Sequence, residues 1–372
     1  MATGRILIVG GGVAGLTLNL ALRDGPWQVD LVERAAGPSR LGAGLAIQPN
    51  AMRVLAQLGV ADAVEKAGAV ISTFSYLDQQ GESLCEADID SVWSGIGSFV
   101  GIARSALHLA LLSGASGCRS GIAATAVTQD GGNASVTFSD GTSADYDIVV
   151  GADGISSVVR RQAVRDLEAR YGGQMVWRSI VPLRSRSLDA VQFWLGEDRF
   201  FGLCPTGDNS TYVFANLTCD RLHEPVSGRR SRLAERFASF GAPVREYIAA
   251  VAADEAIHCS PNEWLAETVW HSGQVVLIGD AAHAMSPMMG QGGCMAMEDA
   301  LVLAEELKRH ADPTAALLAY ETRRRPRVEW VRQQSLALSE LVHRPEHIRN
   351  RAMRQRGVAA FRERYEPLLA VP

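Results

Sequence analysis

Three consecutive glycines, Gly10 to Gly12, break an apolar stretch that otherwise runs from Ile6 to Leu22, and Gly15 follows shortly after. Arg5 to Val9 is a continuous apolar strand of the kind buried on both sheet faces, and helical periodicity resumes from Val13 to Arg23. Val29 to Glu33 supplies a second strand, so residues 5–33 read as a βαβ unit. The glycines and Asn19 split the apolar run too finely for a membrane span. Two further signatures stand far along the chain. Val150 to Ser157 reads Val-Gly-Ala-Asp-Gly-Ile-Ser-Ser, and Leu277 to His283 reads Leu-Ile-Gly-Asp-Ala-Ala-His before running into Pro287 to Gly293. One glycine turn is weak evidence. Three such segments in this order imply one long ligand gripped by distant parts of the chain.

The chemistry of the glycines narrows the ligand. Gly10 permits the tight turn, Gly12 lets the backbone approach a pyrophosphate, and Gly15 allows close packing of helix on strand. Val13 and Ala14 open the helix, whose free N–H groups and dipole favour an anion. Glu33, with Arg34 beside it, closes the second strand, where a carboxylate accepts both hydroxyls of an adenosine ribose. This much fits NAD or FAD. Asp280 follows a buried strand and Gly279, a place where α/β sheets bind ligands, and a carboxylate there suits the ribityl hydroxyls of a flavin. Gly290-Gln-Gly-Gly293 opens the next helix, so its amides face the N1/O2 edge of an isoalloxazine, which turns negative on reduction. FAD satisfies all three segments.

At 372 residues, 47% hydrophobic and 21% charged, the chain is long enough for about two domains with sizeable cores. A net charge of -5 argues against nucleic acid. The six cysteines form no CxxC pair, so free thiols are expected rather than zinc. No charged leader opens the sequence, and a cytoplasmic location is expected. Strands of the parallel sheet are expected from residues 5–33, 122–150 and 274–278, with 122–127 and 134–138 as a hairpin. An aromatic-rich antiparallel meander is expected over 174–217, and helices from 292 onward.

With all three motifs in register over roughly residues 4–345, the chain resembles the class A flavoprotein aromatic hydroxylases, the para-hydroxybenzoate/salicylate hydroxylase-like FAD monooxygenases. The resemblance implies an α/β fold: a Rossmann-like FAD-binding domain of the GR2 type (1–70, 101–170, 266–330) interleaved with an antiparallel-sheet substrate domain (71–100, 171–265), then a C-terminal helical segment (331–372). It implies that Asp153 serves both FAD and a passing nicotinamide, that Arg104 meets the pyrophosphate region, and that the Ala124 backbone meets the adenine. Asp280, Pro287, Gly290, Gly292, Gly293 and Cys294 then flank the flavin ring. The Leu41 to Asn50 loop, with Gly42 and Gly44, lets the flavin move. The implied reaction is hydroxylation of a small aromatic or heteroaromatic substrate by O2 through a flavin C4a-hydroperoxide, with NADH or NADPH as transient reductant. Baeyer–Villiger or epoxidising chemistry on the same fold, and a non-catalytic flavin sensor, are the alternatives. A flavin halogenase is disfavoured, because Met175 to Pro182 holds a single tryptophan at the wrong spacing and lysine occurs only at Lys66 and Lys308.

Substrate contacts are sought on the meander and beside the ring. Arg199, Phe201 and Leu203 share one strand face, with Phe200 and Cys204 on the other; Tyr212, Phe214 and Asn216 share a face of the next strand. Arg199, Tyr212, Gln48 and Pro287 are the candidates. His283 is read as a structural hydrogen-bond partner, His258 and His271 as surface or packing residues, and Arg323 to Arg325 as a solvated face. No strong general base is evident. A monomer or homodimer is compatible with the sequence.

Overall fold

The computed structural model describes residues 4–37, 43–184, 189–207 and 209–372. Strand Gly4–Val9 lies at the centre of a six-stranded sheet, flanked in parallel by Trp27–Glu33 and Ile148–Gly151; Val275–Leu277 runs parallel to the latter. Ile6, Leu7 and Ile8 are wholly buried, because helix Val13–Leu22 covers one face and other elements the other. The parallel arrangement brings Val9, Gly151, Glu33 and Leu277 to one edge, so all three glycine-bearing segments leave the sheet at their strands' carboxyl ends.

The second parallel segment differs from expectation in one respect. Ala124–Gln129 and Ala134–Phe138 do form the hairpin, but it joins Ser143–Tyr146 in a separate three-stranded antiparallel sheet. The edge position beside Trp27–Glu33 is taken instead by the short strand Cys118–Ser120. Ala134–Phe138 alternates buried with exposed or half-buried residues, the pattern of a sheet with one wet face, and Ala124–Gln129 buries just Ala124 and Val127, so neither is a strand covered on both sides.

The meander comprises Arg170–Val181, Ala190–Leu195, Arg199–Pro205 and Thr211–Thr218. It extends into a seven-stranded sheet, with His258–Trp264 at one edge and Thr73–Asp78 and Ser83–Asp88 at the other. Ala190–Leu195 pairs in parallel with Thr73–Asp78, which ties residues 73–88 to the meander despite their distance in sequence. One face packs on helices Arg229–Arg236 and Ala242–Ala249 through Trp177, Phe201, Phe237 and Tyr247. The other looks toward the parallel sheet. A smaller sheet of Gly44–Ile47, Phe99–Ala103 and Ala69–Ile71 bridges the two. Long helices Gly292–Arg309, Pro313–Val342 and Glu346–Tyr365 complete the chain, and among the described residues no helix is long and apolar enough to cross a membrane.

Candidate active site

The three sequence motifs converge. Gly10 adopts φ +113, and a Cβ there would strike the carbonyl of Ala152 beside Asp153, so the first motif packs directly on the second. A Cβ on Gly279 would lie 3.2 Å from Ala14 Cβ and 3.0 Å from Ala296 Cβ, so the third motif is wedged between the helices that start at Val13 and Gly292. Neither helix has a side-chain cap, which leaves their first amides free for a ligand. A Cβ at Gly12 meets nothing within 4 Å, and neither does one at Gly293. These are open cradles where backbone can touch an anion. A Cβ at Gly15, by contrast, would run into the Gly10 carbonyl oxygen.

The other proposed cofactor ligands fall around this edge with different degrees of freedom. Glu33 accepts from Gly11 N at 2.7 Å and Ala35 N at 2.8 Å, which fixes its carboxylate at the turn. Arg34 is exposed beside it, and the Ala124 backbone is buried where the hairpin meets the sheet. Asp153 accepts from Val158 N at 2.7 Å, from Val159 N at 3.2 Å and from the Ser157 hydroxyl, so its carboxylate caps its own turn. Asp280 is exposed, and its Oδ1 lies 3.9 Å from the Cβ position of Gly292. The glycine cradles, the uncapped helix starts and the free Asp280 carboxylate suit an elongated dinucleotide whose far end reaches the Gly290–Gly293 turn. Gly42 lies outside the described residues; Gly44 packs against the Tyr212 ring.

Beyond that turn opens a cavity of about 480 Å³. Its floor is the free face of the seven-stranded sheet and its roof is Gly44 to Gln48 with Met285 to Gly293. Directly paired residues of antiparallel strands project to the same side, so the register dictates the lining. His258 pairs with Arg178, Arg178 with Phe214, Phe214 with Gly202, and Gly202 with Phe193. Gly202 leaves the space that the Phe214 ring occupies. The floor is therefore graded. Arg178, His258, Ser260 and Asn216 make one end polar; Phe74, Val191, Phe193 and Phe200 make the other apolar. The Phe193 ring stands 5.2 Å from both Phe74 and Phe214.

Tyr212, Gln48 and Pro287 line this cavity. Burial pushes the Tyr212 phenol upward, with Arg178 opposing, so it stays a neutral hydrogen-bonding group. Arg199 does not line it. The strand alternation is as expected, but the cavity lies on the Phe200/Cys204 face; Arg199 points to the helical side, where it pairs with Asp198 at 2.7 Å and donates to the Arg236 carbonyl. Arg104 opens helix Arg104–Gly114 and lines the cavity. Arg178 and Ser260 have no counterpart in the sequence reading, and His258, read there as a surface or packing residue, lines the cavity instead. The available signal was Arg178 itself, a lone charge within the apolar run Met175 to Val181.

The roof is braced by a buried polar chain. Gln48 Nε2 donates to Met289 O at 2.7 Å, Gln291 Nε2 to Gln48 Oε1 at 2.7 Å, and Asn50 Nδ2 to Glu298 Oε1 at 2.9 Å. Glu298 pairs with Arg324 and Arg327; Arg324 also holds Asp299, which accepts from Gly279 N at 2.9 Å and faces His283 Nε2 at 2.6 Å. His283 is thus a structural partner. Arg324 overturns the reading of Arg323 to Arg325 as a solvated face: it is fully buried, because two carboxylates on the neighbouring helix demand a cation. Cys294 is buried against the same roof, and burial pushes its thiol up to about 12. Tyr365, from the C-terminal helix, donates to Met289 O at 3.1 Å. Tyr365→Phe removes that bond while Gln48 keeps the carbonyl satisfied, so a loss of about 1 kcal/mol is expected in urea melts.

A parallel sheet with a dinucleotide cradle, opening on a cavity beside an antiparallel layer, defines a flavoprotein oxidoreductase architecture. Residues 3–335 match the family described as FAD binding domain. The chain is 34% identical over 327 residues to aurachin C monooxygenase/isomerase of Stigmatella aurantiaca, covering 86% of this chain and 85% of that protein. It is 34% identical over 346 residues to 2-heptyl-3-hydroxy-4(1H)-quinolone synthase of Pseudomonas aeruginosa, covering 90% and 89%. The structure of Klebsiella pneumoniae HpxO complexed with FAD and uric acid superposes with a TM-score of 0.90 at 25% identity, over 98% of this chain and 97% of that one. The chain belongs to this FAD binding domain family, and it is an FAD-dependent aromatic monooxygenase.

Proposed function

We propose that the cavity holds a heteroaromatic ring carrying an ionisable N–H or O–H group, with that group at the Arg178/His258/Ser260 end and the apolar part against Phe74, Val191 and Phe193. The single observation that carries this is the graded floor: polar and apolar ends lie on one sheet face, and both lie under the Gln48–Gly290 roof. Relatives named for a quinolone, and a neighbour complexed with uric acid, support the ring class. When bound, FAD supplies the oxygen-transfer chemistry, using O2 and electrons from NAD(P)H.

The chain's own residues do the rest. Gly10, Gly12 and the amides at Val13 and Ala14 would hold the pyrophosphate, Glu33 the adenosine ribose, and Asp280 the ribityl chain; Gly290 to Gly293 would face the ring with backbone N–H groups. The Met285–Gly293 roof and the aromatic floor exclude water from the reacting carbon. Arg178, donating to Ser260 Oγ at 2.8 Å, keeps a fixed positive charge where an anionic oxygen or nitrogen would rest. Tyr212 offers a neutral hydroxyl beside it. A reducing, cytoplasmic location fits the six free cysteines. The test is a panel of hydroxylated pyridines, 4-quinolones, purines and benzoates scored for stimulated NAD(P)H oxidation. Ring systems with an acidic N–H or O–H are expected to stimulate strongly and purely apolar rings weakly. Equal response to both would refute the proposed orientation.

A further inference from the structure

His258 lies on the edge strand of the seven-stranded sheet, directly opposite Arg178, and its imidazole forms part of the cavity wall. Among the described lining residues Asp280 alone bears a carboxylate, and it belongs to the opposite wall with Gly292. The charged groups that face His258 are cations: Arg178 from the paired strand, Arg229 from helix Arg229–Arg236, and Arg104 from helix Arg104–Gly114. Arg229 is committed to the carbonyls of Ile257 and Glu224, whereas Arg104 and Arg178 line the cavity. Burial first, and then these three guanidiniums, hold the imidazole below its ordinary value, so it is neutral at neutral pH. A neutral imidazole can accept a proton. The arginines that disfavour its protonation also favour an anion formed beside it, and that anion in turn offsets the repulsion felt by the imidazolium.

Resting on the proposed ring orientation, we infer that His258 is the base that removes the ionisable N–H or O–H proton of the bound substrate. The N–H or O–H bond breaks, its electron pair stays on the ring heteroatom, and an N–H bond forms on the imidazole; the proton then leaves to solvent water. Arg178 and Arg104 hold the resulting anion. Its extra electron density passes into the ring, which activates the carbon to be oxygenated. No redox partner is needed for this step.

The test uses the FAD-loaded protein and 4-nitrophenol, whose anion is coloured, read by difference spectra across pH. In the wild type the bound probe is expected to ionise at lower pH than in H258N, by about one unit or more, a tenfold change in equilibrium. H258Q should behave as H258N does, and both should retain FAD stoichiometry and the near-UV spectrum of the wild type. R178Q should weaken binding as well as ionisation. With a turned-over substrate from the panel, H258N should lower kcat by about a hundredfold with little change in KM. Its pH profile should then follow the substrate's own ionisation. If H258N and wild type ionise the bound probe at the same pH, the assignment of His258 falls while the aromatic cavity stands. If 4-nitrophenol fails to bind the wild type at all, the ring orientation falls, and the assignment with it.

Discussion

Gly12→Val is expected to leave the apoprotein folded and to lower FAD affinity by at least a hundredfold, about 2.7 kcal/mol. The backbone at Gly12 has φ -81 and ψ -166, open to any residue, and a Cβ there has no neighbour within 4 Å. Valine at this cap position should cost about 1 kcal/mol of stability or less. The whole penalty then falls on the ligand, because the added side chain occupies the space through which a pyrophosphate reaches the amides of helix Val13–Leu22. Gly15→Ala gives the contrast. Its Cβ collides with the Gly10 carbonyl oxygen, so helix and strand must separate and stability drops before any ligand is considered. Melting of the apoproteins, paired with FAD titration, distinguishes the two. A Gly12→Val protein that binds FAD as wild type does would mean the dinucleotide lies elsewhere.

Arg324→Leu should destabilise the protein by about 3–5 kcal/mol, the cost of leaving buried carboxylates short of a partner. Arg324 Nη1 lies 2.7 Å from Glu298 and Nε 2.8 Å from Asp299, all three without solvent exposure. Arg327 remains for Glu298, and Asp299 retains only His283 and the Gly279 amide. The same network sets an acid limit. Burial alone would raise the Asp299 carboxyl, but His283 and Arg324 outweigh it and hold it at about 2, against 3.8 for the free group. A depressed carboxylate contributes stability that is complete above the unfolded value and is lost as pH falls toward the folded one. Wild-type stability should therefore fall between about pH 4 and pH 2. In the Arg324→Leu protein the Asp299 carboxyl is less depressed, so this acid-side fall should be smaller and end at higher pH. Unchanged urea midpoints in the variant would show the network to be dispensable. Because Asp299 also holds Gly279 and Glu298 holds Asn50, loosening of the cavity roof should accompany the loss, seen as weaker FAD retention.

The cofactor side of this fold was legible because it is written in short-range rules. Gly10, Gly15 and Gly279 are required by backbone geometry or close approach, Gly12 stands uncrowded at a helix start, and Glu33 and Asp280 stand at strand ends; such local features can be read without knowledge of tertiary structure. The substrate side was legible only to the level of parity. Alternation correctly grouped Tyr212 with Phe214 and Asn216, and Arg199 with Phe201 and Leu203, but it carries no information on which face meets the cavity. That depends on helices Arg229–Arg236 and Ala242–Ala249 covering the other side. His258 reads as a surface or packing residue for the same reason: its place on the cavity wall comes from register with Arg178, eighty positions away in the chain. Arg324 looked solvated because its neighbours are arginines; its burial follows from Glu298 and Asp299 on an adjacent helix. Sequence order puts residues 122–150 in the parallel sheet, although the alternation over Ala134–Phe138 marks a sheet with one exposed face.

The most direct test of the account is the fate of oxygen. The FAD-loaded protein is supplied with NAD(P)H, ¹⁸O₂ and the heteroaromatic compound that stimulates it most, and the product is examined by mass spectrometry. One labelled oxygen atom on the ring for each NAD(P)H consumed is the predicted result. Stimulated oxidation that yields only hydrogen peroxide across the whole panel, or product oxygen drawn from water, would contradict the claim that this cavity positions a ring for oxygen transfer.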